Sequence, residues 1–159
     1  MKQDPSVEVS RREITEMLLS AEDGAEMPLL VTGLSMTPFL FHKISVVYLK
    51  KSKDYVPRKG DIVFFARQDT TLVLHRIVRI EPDGTLVIKG DAQRWRETIT
   101  ADRILASVTH IQRRKRIFSV EHKGYRFLVA LWSPLRWLHP PLAYCLNALG
   151  RLPYKLSRK

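Results

Sequence analysis

The sequence predicts a mainly β protein: a coiled or closed antiparallel β-domain, preceded by one helix and followed by a helical hairpin. Short β-branched and aromatic runs recur between Gly, Pro and Asp turns from about residue 27 to 121. Helical spacing of apolar residues is confined to the two ends. The length of 159 residues and an apolar share of 45% suit one ordinary core. We divide the chain into 1–26 (helix and linker), 27–121 (β-domain) and 122–159 (a basic, aromatic helical tail).

Each element follows from local chemistry. Ser10 precedes Glu13 at capping-box spacing, and Ile14, Met17 and Leu18 follow on one face. A helix over roughly 10–21 results, ended by the polar Glu22-Asp23-Gly24 turn, and it either packs on the domain or docks a partner. Strands are expected at 27–33, 44–50, 62–65, 72–80, 85–88 and 104–111, with a last one over 117–121. Pro57 to Asp61 and Pro82-Asp83-Gly84 supply turns. In 72–80, alternation puts Val73, His75, Ile77 and Arg79 on one face. Leu72, Leu74, Arg76, Val78 and Ile80 take the other.

Net charge is +11 and uneven. Residues 1–34 carry −4, 35–111 carry +5 and 112–159 carry +10. The basic charge is thus chiefly C-terminal. There Arg113 to Arg116 precede an aromatic stretch from Tyr125 to Leu138, and Leu142, Tyr144, Leu146 and Leu149 follow Pro140-Pro141. Two short helices broken at proline are expected. Aromatics beside Arg and Lys suit an anionic membrane surface contacted through residues 113–159. A cap on the β-domain and a protein partner are the other readings, and a nucleic-acid partner is not expected.

Cys145 is the single cysteine, which excludes an internal disulfide and a Cys-based zinc site. No run reaches the roughly 18 apolar residues of a spanning helix. The acidic N-terminus lacks the order of a secretory signal. We expect no metal and no cofactor, and a cytoplasmic protein or one peripheral to the cytoplasmic membrane.

The chemistry centres on Thr32-Gly33-Leu34-Ser35-Met36-Thr37-Pro38. A serine hydroxyl is a poor nucleophile until a base lies within hydrogen-bond reach. His75 suits that role because imidazole titrates near neutral pH. Gly33 permits a sharp turn that exposes Oγ, and the Ser35 N–H is a natural donor to a developing oxyanion.

These residues also carry a resemblance. Gly33-x-Ser35-Met36-x-Pro38 resembles the nucleophile box of type I signal peptidases and LexA-like self-cleaving peptidases. Gly60-Asp61-Ile62-Val63 resembles their second box. Leu74-His75-Arg76-Ile77-Val78 is similar to the base-bearing box of the endoplasmic-reticulum and archaeal enzymes, where histidine replaces lysine. Lys89-Gly90-Asp91-Ala92 resembles the last box. The four stand in order within about residues 29–111.

The resemblance implies the coiled β fold of the LexA and signal-peptidase type. It implies a serine endopeptidase that cleaves leader or signal segments from a peptide or protein precursor. Ser35 would be the nucleophile, His75 the general base and Asp91 the orienting acid, with Asp102 as second candidate. Asp61 reads as a turn residue. Thr32, Gly33, Leu34 and Met36 would line the oxyanion and substrate site, and a substrate strand would pair along Leu29 to Thr32.

Gly33 stands where many bacterial relatives place a serine, and Leu34 where glycine is usual. Neither the anchor helix of signal peptidases nor a DNA-binding module is expected before the box. A non-catalytic peptide- or nucleic-acid-binding module of the same fold, and a self-cleaving regulator cut near Ala21, Gly24 or Ala25, are the competing readings.

Overall fold

The computed structural model describes residues 11–132. Helix α1 (Arg11–Ser20) is followed by strands β1 (Glu26–Leu30), β2 (Ser45–Lys50), β3 (Ile62–Ala66), β4 (Leu72–Ile80) and β5 (Leu86–Lys89). Strand β6 (Glu97–Ile99), a 3-10 turn (Ala101–Arg103), β7 (Ile104–Arg113), β8 (Arg116–Ser119) and helix α2 (Lys123–Trp132) complete it. The strands form an antiparallel sheet in the order β1-β2-β7-β3-β4-β5-β6, with β8 also on β7. The mainly β, antiparallel expectation is therefore met.

Register shifts between Tyr48 and Leu49, Phe64 and Phe65, and Ile77 and Arg79 interrupt the ladders. Each bends its strand and raises the local twist. Apolar side chains form two clusters. Val63, Phe65, Ile77, Leu86 and Ile88 make the smaller one. The larger gathers Met36, Leu40, Val47, Leu49, Ile62, Phe64, Val108 and Ile111.

Both helices close on that larger cluster. Leu18 of α1 is buried in it, with Ile14 one turn earlier packed against it. Burial of one leucine contributes about 1.5–3 kcal/mol, so α1 acts as a packing helix. Tyr125 and Trp132 of α2 enter the same cluster, where Phe39 meets both rings edge-on.

The strand expectations hold to within a few residues, with two differences. β1 stops at Leu30 rather than 33, because Gly33 takes a positive φ of 98° and the chain turns there. Strand β6 was not foreseen: at three residues it is too short for a periodic signal. Ser10 of the expected capping box, and the tail beyond Trp132 with its proline break and second helix, lie outside the described residues. No described helix is long and apolar enough to cross a membrane.

Candidate active site

The Ser35 turn is held from below and from within. Met36 is buried in the core, while Thr32 and Leu34 face solvent. Phe39 and Leu40 N–H donate to the Met36 carbonyl, and the Thr37–Pro38 peptide is cis. The Gly33 N–H donates to His42 Nδ1 at 2.8 Å, so it is occupied and not a ready oxyanion donor. Among the described residues the Ser35 N–H has no such partner.

What seats Ser35 is the turn after β5. The Ala92 N–H donates to the Ser35 carbonyl at 2.8 Å. A Cβ added at Gly90 would lie 2.7 Å from that same carbonyl, inside any real contact. Gly90 is therefore required for close approach, a stronger reason than turn geometry.

His75 arrives from the other side. Arg76 pairs with Lys89 at the end of the β4–β5 ladder, so His75 and Gly90 each lie one residue beyond the last pair. Its side chain is 1% exposed, on the same face as Val63 and Phe65, whose ring centroid is 6.1 Å away. Burial, aided by the Arg67 charge, pulls its pKa down to about 4, against the opposing pull of Glu97 and Asp91. At neutral pH the imidazole is uncharged, the form a general base needs. Its Nδ1 is fully enclosed and without a hydrogen bond. Ser35 Oγ and His75 make no hydrogen bond to each other among the described residues.

The expected orienting acids are corrected. Asp91 gives both carboxylate oxygens to Arg76, at 2.9 Å from Nε and 2.7 Å from Nη2, on the opposite face from His75. The cause is the irregularity in β4. Counting back from the Ile80–Leu86 pair without interruption would set His75 opposite Asp91. The shift between Ile77 and Arg79 moves every later pair by one, and a one-residue slip exchanges the faces. Asp102 is 73% exposed in the 3-10 turn, with Arg103 as its ion-pair partner at 3.9 Å.

The acid that does face His75 is Glu97, with Oε1 3.6 Å from Nδ1. It stands on β6, the unforeseen strand. Arg67 grips its carboxylate through Nε at 2.6 Å and through Nη2, and this hydrogen bonding holds the Glu97 pKa below its usual value. The β-branched run Thr98-Ile99-Thr100 was the one signal that could have found it. Asp61 is a turn residue, accepting from the Arg58 N–H at 3.0 Å and the Tyr55 hydroxyl at 2.8 Å.

The Arg76 face is a different construction. Arg76 Nη1 donates to the Gly60 carbonyl at 2.8 Å, Nη2 also reaches the Tyr125 hydroxyl at 2.9 Å, and Trp132 Nε1 donates to the Asp91 carbonyl at 2.9 Å. A groove of about 830 Å³ opens there between β4 and α2, lined by Arg76, Asp91, Tyr125 and Trp132 but not by Ser35 or His75. Among the described residues no group of three or more His, Cys, Asp and Glu is placed to hold a metal ion.

No protein-family description, curated protein or solved structure matches this chain.

Proposed function

We propose that the protein is a serine endopeptidase of the coiled β type seen in LexA-like peptidases and signal peptidases. It would remove a leader or signal segment from a peptide or protein precursor. The carrying observation is the convergence at Gly90. The Ser35 turn approaches it too closely for a Cβ, and the β4–β5 ladder ends beside it, at the Arg76–Lys89 pair that follows His75.

In this reading neutral His75 takes the Ser35 hydroxyl proton as Oγ attacks the scissile carbonyl. The Ser35 N–H donates to the oxyanion. The imidazolium then protonates the leaving amine, and water repeats the cycle to release the acyl group. Glu97 replaces Asp91 and Asp102 as the orienting acid. A proton on His75 Nδ1, directed at Glu97, leaves the Nε2 lone pair for serine.

The β1 edge suits an extended substrate. β1 ends the strand order, so one side of it carries no strand among the described residues. The Val31 N–H and carbonyl bond Ser45 and Lys43 on the β2 side. By alternation Leu30 and Thr32 turn their groups outward, while Pro28 has no N–H to offer. A substrate strand can thus pair only over the short segment next to Ser35. A preference for small side chains at the cut belongs to the resemblance.

Self-cleavage is the less favoured reading. The Gly24 N–H is tied to the Lys51 carbonyl at 2.9 Å, and Asp23 accepts from the Lys53 N–H at 2.8 Å, which holds the 21–25 linker against the end of β2.

Digestion of a proteome-derived peptide library by wild type and by Ser35→Ala, read by mass spectrometry, tests the proposal. Cuts specific to wild type, enriched after small residues, are expected. An identical cut pattern from both proteins, or none from wild type, would overturn it.

A further inference from the structure

Helix α2 is apolar on two sides, and among the described residues one of them is packed. At 100° per residue, Tyr125, Val129 and Trp132 share the face packed into the core. Phe127, Leu128 and Leu131 fall together on another arc and are 68%, 55% and 56% exposed. An apolar arc this continuous on a surface helix marks an interaction site.

Charge decides what covers it. Lys123 stands one turn before Phe127 and edges the apolar arc, beside Arg126, which is ion-paired with Glu121 at 2.6 Å. The surrounding sequence 112–159 carries eleven Lys and Arg against a single acidic residue, Glu121. Two copies of so basic a segment repel when brought face to face, which disfavours a self-association surface. An anionic lipid surface attracts the same charges while accepting the apolar arc. We infer that α2 is an interfacial helix that lays Phe127, Leu128 and Leu131 into an anionic bilayer.

The placement has a consequence for the site. The Trp132 indole bonds the Asp91 carbonyl, and the neighbouring Gly90 and Ala92 seat Ser35. The last turn of α2 is thus anchored to the very turn that positions the nucleophile. A helix docked on lipid holds that turn near the membrane surface.

The inference stands independently of catalysis, and the test keeps the two apart by using the full chain in its Ser35→Ala form beside wild type. Both are co-sedimented with vesicles of phosphatidylcholine alone and of equimolar phosphatidylcholine and phosphatidylglycerol. We expect both proteins to bind the anionic vesicles, with binding that weakens as salt rises and the screening length falls from about 30 Å at 0.01 M to about 10 Å at 0.1 M. Phe127→Glu with Leu131→Glu changes exposed positions only and should weaken partitioning about tenfold or more, with the circular dichroism spectrum unchanged. Lys123→Glu should weaken it less. Equal binding by the double variant would overturn the inference, as would absence of binding by the parent. A concentration-dependent dimer in light scattering that the double variant abolishes would also overturn it, because the arc would then belong to a second copy.

Discussion

His75 and Arg76 are neighbours in β4, yet the protein treats them in opposite ways. Arg76 points to the α2 side, where Asp91, Gly60 and Tyr125 satisfy it and the Phe39 and Tyr125 rings lie 5.4 and 5.7 Å from its guanidinium. His75 points to the other side, enclosed by apolar groups, with its Nδ1 unpaired and Glu97 just too far for a hydrogen bond. A buried charge with all three of its nitrogens bonded is architecture, because it joins strand, turn and helix. A buried imidazole short of one partner is held neutral by burial, and closing the gap between Nδ1 and Glu97 would raise its basicity, as a carboxylate partner does.

The largest effect should come from the unsatisfied side. His75→Ala is expected to lower peptidase activity at least about a thousandfold, as removal of a general base does. The folded far-ultraviolet spectrum should persist. Retained activity would place the base elsewhere.

Asp91→Asn tests the satisfied side. Breaking a buried ion pair by removing one partner costs about 3–5 kcal/mol, and chemical denaturation should show a loss of that order. A loss under about 1 kcal/mol would mean that the Arg76 network is not the fastening described here.

Acid should separate the two sides further. The His75 pKa is depressed from 6.5 to about 4 by burial. Between those values the unfolded chain binds the proton and the folded protein does not, so stability falls as pH drops through that window. The loss is on the order of 3 kcal/mol at its lower end. In His75→Leu the stability–pH profile between 6.5 and 4 should be flatter than in wild type. Matching slopes in the two proteins would remove His75 as the cause.

A smaller effect belongs to the orienting carboxylate. Glu97→Gln should lower activity about ten- to a hundredfold and leave stability within about 1 kcal/mol, since Glu97 is half-buried and its grip on Arg67 lies near the surface. Asp102→Asn should change neither. If Asp102→Asn has the larger effect on activity, the assignment of Glu97 is wrong.

Much of the scaffold was legible because alternation survives in single strands: β4 runs over the residues that its pattern predicts, and the Gly84 turn closes the β4–β5 hairpin as expected. Ser35 and His75 stood out in the sequence because the boxes that carry them are local. The acid did not. Its identity depends on register, and the irregularity between Ile77 and Arg79 leaves no mark in composition. One residue of slip turned Asp91 from the histidine face to the arginine face. Glu97 was hidden for a second reason: it opens a three-residue strand held by its neighbours and not by its own pattern.

Activation of position 35 by His75 can be measured without knowing the substrate. In a Cys145→Ser background, Ser35→Cys supplies a reporter thiol, and its alkylation by iodoacetamide is followed against pH with His75 present and with His75→Gln. An inflection below the free-cysteine value of about 8.5 is expected and, at neutral pH, a rate about tenfold or more faster when His75 is present. Equal rates and the same inflection in both proteins would contradict it.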